Sequence, residues 1–267
     1  MLFFTEVIYP AEELMARMTT ALVDLARALG ETSSNLVVLA EGNVSERTSD
    51  STFAVKASGR SMAQATDDDI VELRMGPLLA LLDNENADDA AVAAALLDAR
   101  TIFDAPMPSV ETLLHLVCQQ LDNVSYVAHT HPVDVNALLC SVRPTILVEG
   151  ALFPDQVVVL GLHQLFVPYA DPGLPLARLA RKLIDEHVVA HGVAPKVIYL
   201  QNHGMFALGR SAQEVFNITV MARKVAQITL GTLAAGGPAY LSDEAADRID
   251  SREDEVARRA ELVRVKL

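Results

Sequence analysis

The run KVIYLQNHGMFALG, residues 196–209, sets two apolar, β-rich segments on either side of a return only a few residues long. Parallel strands need a crossover of a dozen or more residues, so such a return makes an antiparallel pair. NLVVLAEGNVSER (35–47) and STFAVKASG (51–59), joined by the polar stretch from Thr48 to Ser51, suggest a second hairpin. The two pairs rule out a plain succession of βαβ units. With helix-period segments around them, they point to an α/β architecture on a central mixed or antiparallel sheet.

Those helical segments are legible one by one. PAEELMARMTTALVDLARALG carries Leu14, Met18, Leu22, Leu25 and Leu29 on one face, with Gly30 placed to end it. TDDDIVELRM either opens a helix at Thr66, with Asp69 as capping-box partner, or leads straight into a strand. NENADDAAVAAALLDARTIFDAP predicts an exposed helix or insertion. In PSVETLLHLVCQQL, Val110, Leu113, Leu114, Val117, Cys118 and Leu121 follow helical spacing behind Ser109 as N-cap. SYVAHTH reads as a strand, followed by a helix from Pro132. DQVVVLG and LFVPYADPG read as two more strands, LARLARKLIDEHVVAHG as a helix, and Ser211 to Leu233 as a long helix. Without repeat or low-complexity linker, residues 1–267 are expected to form one domain, with a charged, solvent-facing helical segment from about 240.

Charge and composition exclude whole classes of partner. A net charge of −14 opposes binding to a phosphate backbone, and with no Trp and 5% aromatics a base-stacking platform is not expected. No stretch of twenty residues runs without charge, which argues against a membrane-spanning helix. The start, MLFFTEVIYP, lacks a basic leader and reaches Glu6 quickly, so no secretory signal is expected. Cys118 and Cys140, both in apolar surroundings, give no disulfide framework and suit a reducing cytoplasm.

Among only seven histidines, SYVAHTHPVDVN places His129 and His131 two apart at the end of a strand. Residues so spaced point to one face and can grip one ion from one side. Zinc takes about four ligands, with one position open where it does chemistry. His203, at a strand end with Gly204 allowing a sharp turn, is the candidate third imidazole. Taken alone, the pair proves little, because hydrogen-bonded structural histidines are the commoner reading of such a pattern. Glu111 lies one position off the apolar stripe of its helix, in the first turn, where an anion is favoured. It is either a helix-dipole carboxylate or a base delivered to a metal site. EGNVSER and KASGRSM add small residues, backbone N–H groups and hydroxyls able to cradle an anion, although each is also an ordinary turn pattern.

In chain order, GNVSER, KASGRSM, PSVET, HTHP, PYADPG and QNHG resemble the class II aldolase/adducin family, over about residues 10 to 235. The resemblance implies a three-layer α/β/α sandwich around a mainly antiparallel sheet. It implies an aldehyde-lyase of carbohydrate metabolism that cleaves a small sugar phosphate or related hydroxycarbonyl compound reversibly. Members with this activity are commonly C4 homotetramers with the site at a subunit interface. It places the metal on His129, His131 and His203, and the catalytic carboxylate on Glu111. The ion is Zn2+, with Mn2+ or Co2+ also suited to three imidazoles. As a Lewis acid it would take two substrate oxygens and stabilise an enediolate, while Glu111 moves the proton.

The anion pocket departs from the family pattern. Asn43, Ser58, Gly59 and Ser109 stand where the resemblance places phosphate ligands, but Ala40 and Val110 replace two hydroxyl residues. Glu41 adds a negative charge, which Arg60 can offset with a bidentate contact, unless it is a plain surface arginine. The same metal could therefore serve a decarboxylase of hydroxylated aromatic acids, or an epimerase or dehydratase. A non-catalytic module like the adducin head is disfavoured, because such heads lack the metal histidines. His115, one turn beyond Glu111, could orient it or be purely structural. His163, His187 and His191 receive no role, and Tyr240 is placed in a tail that closes over a neighbouring subunit's site.

Overall fold

The computed structural model describes residues 11–262, with side chains from residue 20 onward. The apolar start at 1–10, and Leu14 and Met18 of the opening stripe, lie outside the described residues and side chains. Strands β1 (Asn43–Arg47), β2 (Thr52–Lys56), β3 (Ile70–Arg74), β4 (Tyr126–Thr130), β5 (Leu165–Val167), β6 (Val197–Leu200) and β7 (Gly204–Gly209) form one sheet. Its order is β3-β2-β1-β4-β7-β6-β5, antiparallel throughout except for the β5–β6 pair. Both sequence hairpins are present, β1–β2 and β6–β7. The helices among the described residues are α1 (Ala11–Leu29), α2 (Met75–Asp83), α3 (Asp89–Ala99), α4 (Thr112–Gln119), α5 (Val133–Leu139), α6 (Pro154–Leu160), α7 (Leu174–His191), α8 (Ala212–Ala234), α9 (Asp243–Ser251) and α10 (Glu253–Leu262).

Period-two alternation along the strands builds two cores. Phe53, Val55, Val127, Ile198, Leu200, Phe206 and Leu208 face α2, α3, α4 and α7. Their immediate neighbours Ala54, Ala128, Val197, Tyr199, Met205 and Ala207 face α1, α5 and α8. Helices on both faces make the three-layer α/β/α sandwich that the motifs imply. Each fully buried Leu or Phe contributes about 1.5–3 kcal/mol relative to exposure, so both faces bind their helices firmly. Caps follow the sequence: Gly192 ends α7 in the left-handed conformation, and Ser211 Oγ accepts the Glu214 N–H at the start of α8. No described helix is long and apolar enough to cross a membrane.

Several expectations change. Residues 36–42 are not strand: Asn35 and Leu39 have φ of 50° and 57°, and Val38 and Leu39 are exposed. The ladder begins only at Asn43, opposite His129. DQVVVLG is α6, opened by Pro154 and closed by Gly161 at φ 78°. It misreads as a strand because Val157 and Val158 pack on Ala246 and Ile249 of α9 while Leu160 joins the α8 core, so burial on two sides erases any period. TDDDIVELRM does both things expected of it: a capping box between Thr66 and Asp69 closes one 3-10 turn, and β3 follows directly. The C-terminal segment is helical, but Ala246 and Ile249 are buried rather than solvent-facing. Ser109 is not the N-cap of α4. Its hydroxyl accepts the Glu111 N–H at 3.3 Å within a preceding turn, Glu111 itself is the cap, and Val110 is exposed. Cys118 is buried as its surroundings suggest, whereas Cys140 is exposed; both are free thiols.

Candidate metal centre

Three segments deliver the site. β4 ends at Thr130, so His129 and His131 leave it on the same side, toward α4. The β6–β7 turn brings in His203, with Asn202 at φ 56° making the turn and the Asn136 amide of α5 donating to the His203 carbonyl at 2.9 Å. The N-cap of α4 brings in Glu111. Their ligating atoms, one per residue, all lie within 4.8 Å of one another. His129 Nε2 is 2.9 Å from His131 Nε2 and 3.3 Å from Glu111 Oε1, which is 3.0 Å from His203 Nε2. Ligands about 2.0–2.1 Å from a tetrahedral ion lie about 3.3 Å apart, so the spacing suits a divalent cation.

The surroundings fix the rings for that task. His129 Nδ1 is 3.1 Å from the Met205 carbonyl, which only accepts, so Nδ1 carries the proton and Nε2 keeps its lone pair toward the centre. Phe206 stacks on the same ring with centroids 4.4 Å apart. His131 presents Nδ1 to Glu41 Oε2 at 3.6 Å. Gly204 makes this approach possible: a Cβ there would stand 2.6 Å from both His131 Cδ2 and the Thr130 carbonyl oxygen.

Electrostatics keep the donors available. Burial, with the charges of His129 and His203 added, pushes the His131 imidazole down to about 3 and keeps it unprotonated. Burial alone would raise the Glu111 carboxyl, but the charges and hydrogen bonds of His129 and His203 outweigh it and hold the group far below the usual carboxylate range. The four side chains can hold a metal ion: three imidazoles and a carboxylate are a donor set for zinc or its neighbours.

The anion-side residues are distributed differently. Asn43 Nδ2 donates to Glu111 Oε2 at 2.7 Å, so the amide supports the carboxylate. The Ser58 N–H donates to the Met107 carbonyl, while Ser58 and Gly59 stand exposed in a turn with Gly59 at φ 69°. Arg60 pairs with Asp69 at 3.3 Å on the protein's flank. Glu41 accepts the Val38 N–H and turns to His131, not to the Ser58 turn. His115, fully buried, bonds Ser45 Oγ at 2.8 Å and makes no hydrogen bond to the Glu111 side chain. Tyr240 packs on Gly150 and donates to the Ile146 carbonyl of its own chain.

Sequence reasoning passed over Lys56. Its buried ammonium donates to the Ala57 and Arg60 carbonyls, holding the 57–60 turn from beneath. Burial lowers its pKa to about 8 against the opposing pull of Asp69 and Glu111. A lysine in the middle of the apolar run TFAVKA was the available signal. Asn136 carried none, and Glu41, read in the sequence as a negative charge at the anion pocket, is set beside His131 only by the folded chain.

The model of the Class II Aldolase and Adducin N-terminal domain matches residues 20–230, most of the chain. The chain belongs to this family. Among solved structures, its fold is similar to L-fuculose 1-phosphate aldolase, with a TM-score of 0.66 and 20% identity over 88% of this chain and 95% of that one. It is also similar to the N-terminal Class II Aldolase domain of a conserved protein from Thermoplasma acidophilum, with a TM-score of 0.63 and 22% identity over 85% and 97%. YgbL from Klebsiella pneumoniae, named as a candidate aldolase/epimerase/decarboxylase, gives a TM-score of 0.66 and 18% identity over 88% and 98%. The "Uncharacterized oxidoreductase YuxG" of Bacillus subtilis (strain 168) is 24% identical over 187 residues, which are 67% of this chain and 25% of that protein. This class II aldolase/adducin chain thus spans about a quarter of the length of that curated relative.

Proposed function

We propose that this class II aldolase/adducin protein is a zinc-dependent aldehyde-lyase that reversibly cleaves a carbon–carbon bond in a small hydroxycarbonyl compound, sugar phosphates included. The observation that carries the reading is the placement of Glu111. One carboxylate oxygen lies between the His129 and His203 imidazoles and the other is held by Asn43. A purely structural metal site needs no such doubly anchored base. His129, His131 and His203 would hold the ion, and a divalent cation there supplies a Lewis acid for adjacent substrate oxygens. Glu111 takes the proton from the substrate hydroxyl and returns it to carbon, with Asn43 fixing the carboxylate's orientation. Lys56 supports the 57–60 turn, whose Ser58 hydroxyl, with Ser109 across from it, offers contacts to the far end of the substrate. The active form is a cytoplasmic C4 tetramer, an assembly carried over from the resemblance and checked by light scattering.

The test is incubation of the metal-loaded protein with dihydroxyacetone phosphate and a panel of aldehydes. New carbon–carbon bonds that vanish on metal removal and in Glu111→Gln are expected. No product with any aldehyde, from protein carrying a full complement of metal, would overturn the assignment. A decarboxylase of hydroxylated aromatic acids is the second reading. It is favoured by Ala40 and Val110, which strip two hydroxyls from the anion pocket, and by the pairing of Arg60 with Asp69. Carbon dioxide release from such acids, without aldol products, would decide for it.

A further inference from the structure

Asn43 is the first of a polar row on β1. Asn43, Ser45 and Arg47 alternate on the strand face turned to α4, and each bonds to that helix or to the turn after it. Asn43 donates to Glu111 Oε2, Ser45 Oγ is 2.8 Å from His115 Nδ1 and accepts from Gln119 Nε2 at 2.9 Å, and Arg47 donates to the Leu121 carbonyl at 3.0 Å. On the helix, Glu111, His115 and Gln119 follow one another at intervals of four residues, along one side. Four helical residues rise about 6.0 Å and two strand residues about 6.8 Å, so the two polar rows run nearly in step. We propose that Ser45, His115 and Gln119 are positioning residues: their bonds fix the register of α4 along β1 and so hold the Glu111 carboxylate against the imidazoles. The inference rests on the reading of Glu111 and the three histidines as a metal centre.

Stability alone does not call for this polar seam. Ser45, His115 and Gln119 are fully buried, and their neighbours Leu113, Leu114, Leu116 and Val117 belong to the apolar core. His115 Nε2 and Gln119 Oε1 find no hydrogen-bond partner. A buried polar atom left unpaired is costly, whereas exchanging both partners of a buried bond for apolar groups of the same shape is nearly neutral. An apolar seam would therefore hold the helix at least as firmly. What it would lack is direction. Apolar contact is non-directional and tolerates a small slide, whereas a hydrogen bond weakens steeply outside a narrow range of distance and angle. Glu111 is the N-cap of α4, so a slide of the helix carries its carboxylate along. Its Oε1 stands 3.0 Å from His203 Nε2 and 3.3 Å from His129 Nε2, and a displacement of 1 Å or so would part them. The bonds also assign the His115 tautomer. Gln119 donates to Ser45, which leaves the hydroxyl proton for Nδ1 and the ring proton on Nε2.

The experiment is a double-mutant cycle in Zn2+ affinity, read by competition with a chromophoric chelator on the full chain. His115→Leu and Ser45→Ala are each expected to weaken Zn2+ binding roughly tenfold, and the pair together no more than either alone, because both break the same rung. The Tm of the zinc-free variants should equal or exceed that of wild type, which separates positioning from a loss of stability. In a Glu111→Gln background neither substitution should weaken Zn2+ further, because the seam acts through the carboxylate. His115→Asn, which returns an acceptor to the Ser45 hydroxyl, should recover most of the lost affinity. If His115→Leu fails a circular dichroism check of its fold, Ser45→Ala in the two backgrounds decides. Unchanged affinity in the folded seam variants, with Zn2+ bound by wild type, would overturn the inference and leave the metal centre standing. An equal loss in the Glu111→Gln background would also overturn it, tracing the effect to His129 through Phe206, whose ring lies 5.1 Å from that of His115. Failure of wild type itself to bind Zn2+ would instead remove the metal centre, and this inference with it.

Discussion

Glu111 is gripped from both ends, with Oε1 between two imidazoles and Oε2 on the Asn43 amide. Replacing the carboxylate by an isosteric amide removes the base while leaving three nitrogens for the ion. Glu111→Gln is therefore expected to lose roughly 10²–10⁴-fold in turnover while metal analysis still finds its ion. Asn43→Ala frees one end of the carboxylate, and a fall of about tenfold in kcat with metal content unchanged is expected in steady-state assays. The two-residue histidine spacing is readable because the strand period alone sets which way those side chains leave the backbone, whereas Glu111, expected in the first turn behind Ser109, is itself the N-cap of α4. Lys56, Glu41 and Asn136 are not readable in that way. Their meaning comes from tertiary neighbours, as when the Asn136 amide meets the His203 carbonyl across 67 positions of chain.

At the scale of elements, the pairing of β1 with β4 carries a titrating group into the sheet. Glu46 lies opposite Tyr126, whose hydroxyl donates to its carboxylate, and burial raises its pKa to about 7, the hydrogen bond opposing. The folded chain thus holds the Glu46 proton more tightly than the unfolded one. This contribution is fully present below about pH 4.5 and is lost as pH rises through 7. Glu46→Gln, which stays neutral, should match wild type in urea melts at low pH. At pH 8 it should exceed wild type by on the order of 2 kcal/mol. The β4–β7 pairing is as tight at its end. Gly204→Ala would push a methyl group into His131 and the Thr130 carbonyl, and a loss of metal affinity of tenfold or more in chelator competition is expected. The hairpins are legible in sequence because their turns are short and polar. The 36–42 segment and α6 are not, because apolar residues that serve a loop or a doubly buried helix look the same as a strand.

Across the whole molecule, the sandwich places its ligands on separate parts of the sheet and its helix layer. An ion held by folded but not unfolded chain stabilises by about 3 kcal/mol at a hundredfold excess over its Kd. Stripping the metal with a chelator should lower the Tm by roughly 5–10 °C in calorimetry, with full recovery on adding it back. The three-layer architecture follows from motif order and hairpin placement, whereas the packing of α9 onto α6 depends on a surface no local pattern announces. Because α4, β4 and the β6–β7 turn each contribute, a nascent polypeptide leaving the ribosome has only three of the four candidate donors when the two strand histidines emerge. The complete donor set must await synthesis beyond residue 203, so an ion held by all four side chains would certify a nearly finished sheet.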